Sequence, residues 1–292
     1  MEIFYEWLKS VDSTNNELKR RSRQMPLPEG LVLSADRQTQ GRGRSGRNWS
    51  SPPGSSISTS ILLRPDRLPP EAIPRLTLLA ALATARAIEE ETGLGVGIKW
   101  PNDIVIMGKK AVGILTEMLM RDHQPDCVIV GIGVNVHQRS YDPEIAEMAI
   151  SLDEAMDLQD RKSGRGSDRK SGRGSDREAD REPVHRPDRG LDQRQASGHG
   201  IRRRQLICSI WEHFADCYQD FCRFKELDFL LADYNARLVN RGKVVRVMDP
   251  RGAYEGTCRG INARGELLVD RGGKTLSINA GEVHVRGLYG YV

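Results

Sequence analysis

IKWPNDIVIMGKKAVGILTE, residues 98–117, is the stretch on which the fold turns. Largely apolar runs at 103–107 and 111–115 flank Gly108-Lys109-Lys110, which predicts strand, tight turn, strand. Around those runs stand Lys99, Trp100, Asn102, Asp103, Lys110 and Glu117. A half-buried ammonium needs a partner. Two lysines and an asparagine beside buried strands therefore point to a site for anionic oxygens. The same residues also fit a solvated hairpin whose lysines keep a sheet edge soluble. The flanking sequence has to separate the two readings.

Upstream, Ile3, Tyr5 and Trp7 alternate as in a short opening strand. Thr14 with Glu17 three residues on has the form of a capping box, predicting a helix from here to about Arg23. Ser13, Thr14 and Asn15 either cap that helix only or face a polar ligand beside its start. Leu31–Ala35 reads as a strand. After Asp36-Arg37-Gln38 comes GRGRSGRNW, residues 41–49, in which three glycines and three arginines alternate. Glycine permits close backbone approach, and arginine offers a fork of donors to phosphate or carboxylate. The chain has no Walker A motif, and this tract occurs once, between predicted strands rather than in a tail. A loop closing over an anion fits it better than an RGG-like RNA-binding tract.

Ile57–Leu63 alternates as a strand. Pro74–Thr92 carries Leu76, Leu79, Ala80, Ala83, Ala87 and Ile88 on one helical face and stops at Gly93. Downstream of the hairpin, Cys127–Val136 is a buried strand running through Gly131, Gly133 and Asn135. No helix follows it, so its glycines suit a ligand lying against the strand, with Asn135 touching it, better than a dinucleotide-binding turn. Ile207, Ile210, Trp211, Phe214, Tyr218 and Phe221 have helical spacing and read as core. From Lys243 short strands alternate with Gly-containing turns, the pattern of a small all-β barrel.

The totals bound the class. The 292 residues suffice for one large domain and a small one. A hydrophobic content of 38% and a mean hydropathy of −0.52 are low for a compact enzyme, and one polar segment causes most of this. Residues 160–167 and 168–175 are the same octapeptide, DRKSGRGS, which then decays into DREADREP. So short a repeat is no solenoid unit, and so charged a segment cannot bury enough surface to fold. It is expected to be a disordered insertion over about 159–200, whether idle or bound by RNA or a partner. The net charge of +4 demands no nucleic-acid partner. Five cysteines without CxxC spacing suit inert thiols in a reducing compartment. Neither a leader peptide nor a membrane-length apolar run is present, so a soluble, cytoplasmic protein is expected.

Taken in order, STN, GRGRSGRNW, KWPNDI with KKAVGIL, and GIGVN resemble the catalytic domain of the biotin protein ligases, over about residues 1–157 and again from about 201 to 292. The resemblance implies an α+β fold: a mixed β-sheet with flanking helices, like that of class II aminoacyl-tRNA synthetases, then a small SH3-like barrel. It places a catalytic domain at 1–238 and the barrel at 239–292. It implies a ligase that uses Mg-ATP to make biotinyl-5′-adenylate and pyrophosphate, then passes biotin to a lysine of a biotin carboxyl carrier domain. Carried over by position, Ser13, Thr14, Asn15 and Gln38 contact biotin, and Arg42, Gly43 and Arg44 belong to the loop ordering over it. Lys110, rather than Lys109, contacts the reacting carboxyl and phosphate. Lys99, Asn102, Arg47, Trp49 and Asn135 fall on the nucleotide side, and Arg286 is a further candidate for an ATP contact. Lys110, Arg44 and Asp103 are the catalytic candidates, and no resident metal is expected.

Elementary chemistry agrees. Bringing a carboxylate to a polyphosphate sets like charges together, so cationic donors and Mg²⁺ must offset them. Neutral hydroxyls and amides suit an uncharged ureido ring. The second step needs a neutral target lysine, which Asp103 serves by proton transfer or by orientation. Family members that repress transcription carry a helix-turn-helix ahead of this domain. With STN starting at residue 13, a monofunctional form without sequence-specific DNA binding is expected. A monomer and a homodimer are both compatible with the sequence. The barrel either covers the nucleotide and receives the carrier, or only adds stability. The rivals are a lipoate or octanoate ligase of the same superfamily, and an RNA-binding protein using GRGRSGR with the basic repeat.

Overall fold

The structure is a computed structural model that describes residues 1–65, 68–122, 124–164, 200–249, 252–279 and 284–287. In chain order it runs β1 (Phe4–Leu8), α1 (Thr14–Gln24), β2 (Leu31–Ala35), β3 (Ser56–Leu63), α2 (Arg75–Thr92) and β4 (Gly97–Lys99). There follow β5 (Asp103–Ile106), β6 (Lys109–Arg121), β7 (Gln124–Asn135), α3 (Leu152–Lys162), α4 (Arg203–Phe224) and α5 (Leu231–Arg237). The chain closes with β8 (Val244–Asp249), β9 (Gly252–Ile261), β10 (Leu267–Arg271), β11 (Lys274–Ile278) and β12 (His284–Gly287). The first seven strands form one sheet in the order β1-β2-β3-β7-β6-β5-β4, and the last five a second sheet in the order β11-β10-β9-β8-β12.

In the large sheet only β1 and β2 run parallel. A parallel pair needs a crossover, and α1 supplies it. β3 is buried along its whole length, and its alternation divides two environments. Ile57, Ile61 and Leu63 join the main core with α2 and α4, where Thr59 Oγ1 accepts the Trp211 indole N–H at 2.9 Å. Ser58 and Ser60 face the other way, towards Ser51 and Asn15. In that main core Trp211 of α4 meets Phe214 edge to face, and Phe214 stacks on Tyr218. The expected aromatic core stripe is therefore what α4 presents. α1 covers part of the opposite face over a smaller cluster of Leu18, Leu33, Leu62 and Ile129.

The residue 98–117 stretch is a hairpin, with its turn one position earlier than the sequence suggests. Met107 (φ 51°) and Gly108 (φ 79°) are both left-handed. They form the two-residue turn that matches strand twist, while Lys109 and Lys110 already belong to β6. Glycine takes that conformation freely and Met107 accepts a modest cost.

Two further expectations are corrected. The helix start is no capping box: Ser13 is the capping residue and makes no side-chain cap bond. The Thr14 hydroxyl contacts Gln38 and Ser60 instead, and Glu17 pairs with Arg20 and Arg21. The disorder expected from about residue 159 does not hold for its first residues, since α3 continues to Lys162, and Arg161 and Lys162 suit its C-terminal end. Residues 165–199, which hold most of the repeat, lie outside the described residues.

The second sheet is tied to the KWPN segment. The Trp100 indole donates to Gly265 O at 3.1 Å, Ile98 bridges Leu238, and Asn235 Oδ1 accepts from Ile261 N at 2.8 Å. A motif with site candidates on either side thus also anchors the C-terminal unit.

Candidate active site

A cleft lies on the α1 side of the large sheet, with an empty volume of about 450 Å³, part of it open to solvent. One end is neutral and polar. Ser13, Thr14 and Asn15 enter it from the start of α1, and Gln38 joins them. Gln38 Oε1 accepts from Thr14 N at 2.8 Å, which fixes the side chain against the helix start. Ser60 of β3, fully buried, contacts both Thr14 and Asn15 at 2.6 Å.

The other end is cationic. GRGRSGRNW folds into a compact bend in which Gly43 N donates to Arg47 O at 2.7 Å and Trp49 N to Gly41 O at 2.9 Å. Arg44–Gly46 forms a single tight turn between them. Arg42, Gly43 and Arg44 line the cleft, and Arg44 Nη1 donates to Asn102 Oδ1 at 3.0 Å. Burial pushes the Arg44 guanidinium below its ordinary pKa, against the pull of Asp103. Arginine remains charged regardless, so the result is a partly desolvated cation.

Lys110 reaches the same place because β6 bulges there. Val105 pairs with Lys110 and Ile104 with Val112, so Ala111 is the extra residue. A bulge bends the strand and re-aims its side chains. Lys110 N donates to Met148 O at 2.7 Å, and its carbonyl accepts from Ile150 N at 3.0 Å. Its Nζ meets Asp103 Oδ1 at 2.6 Å and stands 5.7 Å from the Trp49 ring centre.

The floor is glycine. A Cβ on Gly131 would fall 2.2 Å from Asn15 Oδ1, and one on Gly133 2.4 Å from the Trp49 indole. The expectation that these glycines let a ligand lie on the strand is thereby modified. What lies directly on them is Asn15 and Trp49, the side chains that shape the cleft.

Ten of the candidates therefore share one cleft: Ser13, Thr14, Asn15, Gln38, Arg42, Gly43, Arg44, Trp49, Asn102 and Lys110. Asp103 stands beside it through Lys110. Lys99, Arg47 and Asn135 are not part of the lining. Arg47 is exposed, and Asn135 donates to Ile150 O at 3.4 Å in the interior. The Arg286 side chain lies outside the described residues. Sequence reasoning missed Ser60, whose only signal is the alternation of serines in ISTSILL, and gave no part to Glu117, which accepts from Asn15 Nδ2 at 2.8 Å.

Residues 7–135 match the family model described as the Biotin/lipoate A/B protein ligase family, and residues 242–286 that of the Biotin protein ligase C terminal domain. The chain is 46% identical over 272 residues to the bifunctional ligase/repressor BirA of Bacillus spizizenii, across 92% of this chain and 69% of that protein. To the biotin–[acetyl-CoA-carboxylase] ligase of Mycobacterium tuberculosis it is 31% identical, across 94% of this chain and 86% of the relative. The chain belongs to the biotin protein ligase family. The match to BirA of Bacillus subtilis, also at 46% identity, spans 46% of that protein's length. Among solved structures, the biotin protein ligase of Aquifex aeolicus in complex with biotin and ATP is similar at a TM-score of 0.71 and 27% identity, covering 97% of this chain and 98% of that one. The mixed sheet with flanking helices and the small antiparallel C-terminal unit are the fold of this family.

Proposed function

We propose that this chain is an ATP-dependent biotin–[carrier protein] ligase, and that the cleft holds biotin with its ring at the neutral end and its carboxylate at the cationic end. The observation that carries this reading is the union, in one cleft, of hydroxyl and amide groups with Arg44 and Lys110. Family membership and the biotin and ATP bound to the Aquifex relative support it. Neither the lipoate reading nor the RNA-binding reading is favoured: the C-terminal family match is specific to biotin protein ligases, and Arg44 turns into the cleft.

In the first step biotin carboxylate attacks the α-phosphate of ATP, which enters as its magnesium complex, and pyrophosphate leaves. Lys110 and Arg44 offset the negative charge where carboxylate and phosphate meet, an effect strengthened by their partial burial. Asp103 holds the Lys110 ammonium in place, and Asn102 does the same for Arg44. In the second step a neutral lysine of the carrier domain attacks the acyl carbon and releases AMP. Asp103, beside the cleft through Lys110, is the carboxylate assigned to receive its proton. Lys99, Arg47 and Asn135 are assigned to the nucleotide side.

The domain division is proposed at 238/239, just after α5. All five cysteines are unbridged, and burial pushes up the thiols of Cys127, Cys208, Cys217 and Cys258. Unreactive free thiols suit a reducing cytoplasm. Among the described residues no helix is long and apolar enough to cross a membrane. Ligation without sequence-specific DNA binding is part of the proposal. Operator binding in a gel shift with biotin and ATP would refute that part.

The deciding experiment is intact-mass analysis of an apo carrier domain incubated with the protein, biotin and Mg-ATP. A biotin-sized increase on one lysine, absent without ATP, is expected. No increase with biotin, together with modification by lipoate, would overturn the assignment.

A further inference from the structure

Glu117 lies outside the cleft, two residues beyond Leu115 on β6, and its two oxygens are taken from α1. Oε2 accepts from Asn15 Nδ2 at 2.8 Å, and Oε1 faces the Lys19 ammonium. The second Asn15 amide hydrogen points to Leu115 O at 3.4 Å. Inward from Asn15 run three short contacts between hydroxyls and oxygens. Ser60 Oγ meets Asn15 Oδ1 at 2.6 Å, Thr14 Oγ1 meets Ser60 Oγ at 2.6 Å, and Thr14 Oγ1 meets Gln38 Oε1 at 3.1 Å.

Two hydroxyls own two hydrogens, so three contacts cannot all be hydrogen bonds. A carboxylate only accepts, so Glu117 obliges Asn15 to turn its NH₂ outward and its oxygen towards Ser60. Ser60 must then donate to Asn15, and its own oxygen accepts from Thr14. The hydrogen of Thr14 is committed to Ser60. The longest contact, to Gln38, is left without one, and Gln38 Oε1 is already served by Thr14 N. Thr14, Asn15 and Ser60 are 3%, 5% and 0% exposed, which leaves water no access to repair a reversed chain. The Thr14 hydroxyl thus meets the cleft with lone pairs alone.

We propose that Glu117 is a positioning residue for ligand selection. It sets the direction of the chain Thr14 → Ser60 → Asn15 → Glu117, and so makes Thr14 Oγ1 an obligate acceptor that selects a ligand carrying an N–H donor. The inference rests on the biotin reading above and sharpens it. A ureido ring offers two N–H donors, whereas a dithiolane or a saturated acyl chain offers none. Glu117 acts through Asn15 and Ser60 and touches no ligand.

The test replaces the obligate acceptor with a group that can also donate. Biotin and a biotin methylated on its ureido nitrogens are titrated calorimetrically into the wild type, Glu117→Gln, Glu117→Asp and Ser60→Ala, with the KM for ATP and the thermal midpoint as controls. The wild type is expected to prefer biotin over the methylated analogue by about tenfold or more, the worth of one well-made hydrogen bond. Glu117→Gln and Ser60→Ala should lose most of that preference with the KM for ATP unchanged, and Glu117→Asp, still an acceptor only, should keep it. Full preference in Glu117→Gln overturns the inference and leaves the ligase reading standing. Should one variant fail to fold, full preference in the other does the same. A wild type that binds no biotin removes both.

Discussion

The two faces of the large sheet are stabilised by different physics. On one, α2 and α4 bury Leu76, Leu79, Trp211 and Phe214 without exposure, a dry interior whose stability is area and packing. On the other, α1 contributes Leu18 to a small cluster and otherwise holds on by polar contacts. Thr14 and Asn15 bond to Ser60, Arg21 pairs with Glu6 of β1, and Lys19 with Glu117 of β6. The strand surface beside it is glycine, covered by Asn15 and Trp49. The face that bears the cleft is polar with a small apolar cluster, and the larger share of the sheet's apolar burial lies on the face packed by α2 and α4.

This contrast can be broken from either side, and the largest effect should come from the site. Lys110→Ala is expected to lower biotin-dependent pyrophosphate exchange by about a hundredfold or more, as losing one charge-stabilising donor does elsewhere, with the unfolding midpoint little changed. Activity equal to the parent would remove Lys110 from the site. On the dry face Trp211→Ala should cost about 3–5 kcal/mol in urea unfolding, and the protein that remains folded should bind biotin with unaltered Kd. A changed Kd would mean that the two faces are coupled.

Gly131→Ala should act on the site face alone. Its methyl displaces Asn15, so biotin binding is expected to weaken by about tenfold or more, roughly 1.4 kcal/mol, with a smaller loss of stability than Trp211→Ala. Retained affinity would show that Asn15 has room to move. The smallest effect concerns α1 and acid. Burial alone would raise the Glu17 carboxyl, but hydrogen bonds from Arg21 and Arg20 carry it below its ordinary value of 4.5. A depressed carboxyl contributes stability that is present above its unfolded pKa and is lost as pH falls through the folded one. Glu17→Gln should therefore be less stable than the parent at pH 7, by no more than about 1 kcal/mol, and equal to it well below pH 4.5. A gap that persists in acid would assign the loss to packing.

Much of this was legible in the sequence because it is local. Alternation marked β3, the stop at Gly93 marked the end of α2, and glycines interleaved with arginines marked a loop that is neither helix nor packed strand. The ordered motifs were specific enough to pick out ten residues that share one cleft. What local reading misplaced shows where it stops. Thr14 looked like half of a capping box, since a hydroxyl three residues before a glutamate has that form on any helix. Its partners are Gln38 and Ser60, which lie 24 and 46 residues away.

By itself, then, the sequence determined which segments are strands and helices, which motifs carry cationic and neutral donors, and that a charged repeat interrupts the chain. Those follow from periodicity and residue chemistry, which act over a few residues. Tertiary structure alone decided that Ser60 and Glu117 belong with Asn15, that a bulge turns Lys110 onto Asp103, and that Gly131 and Gly133 lie beneath side chains rather than a bare ligand. Each depends on strand register, and register is set by how whole faces pack against their helices.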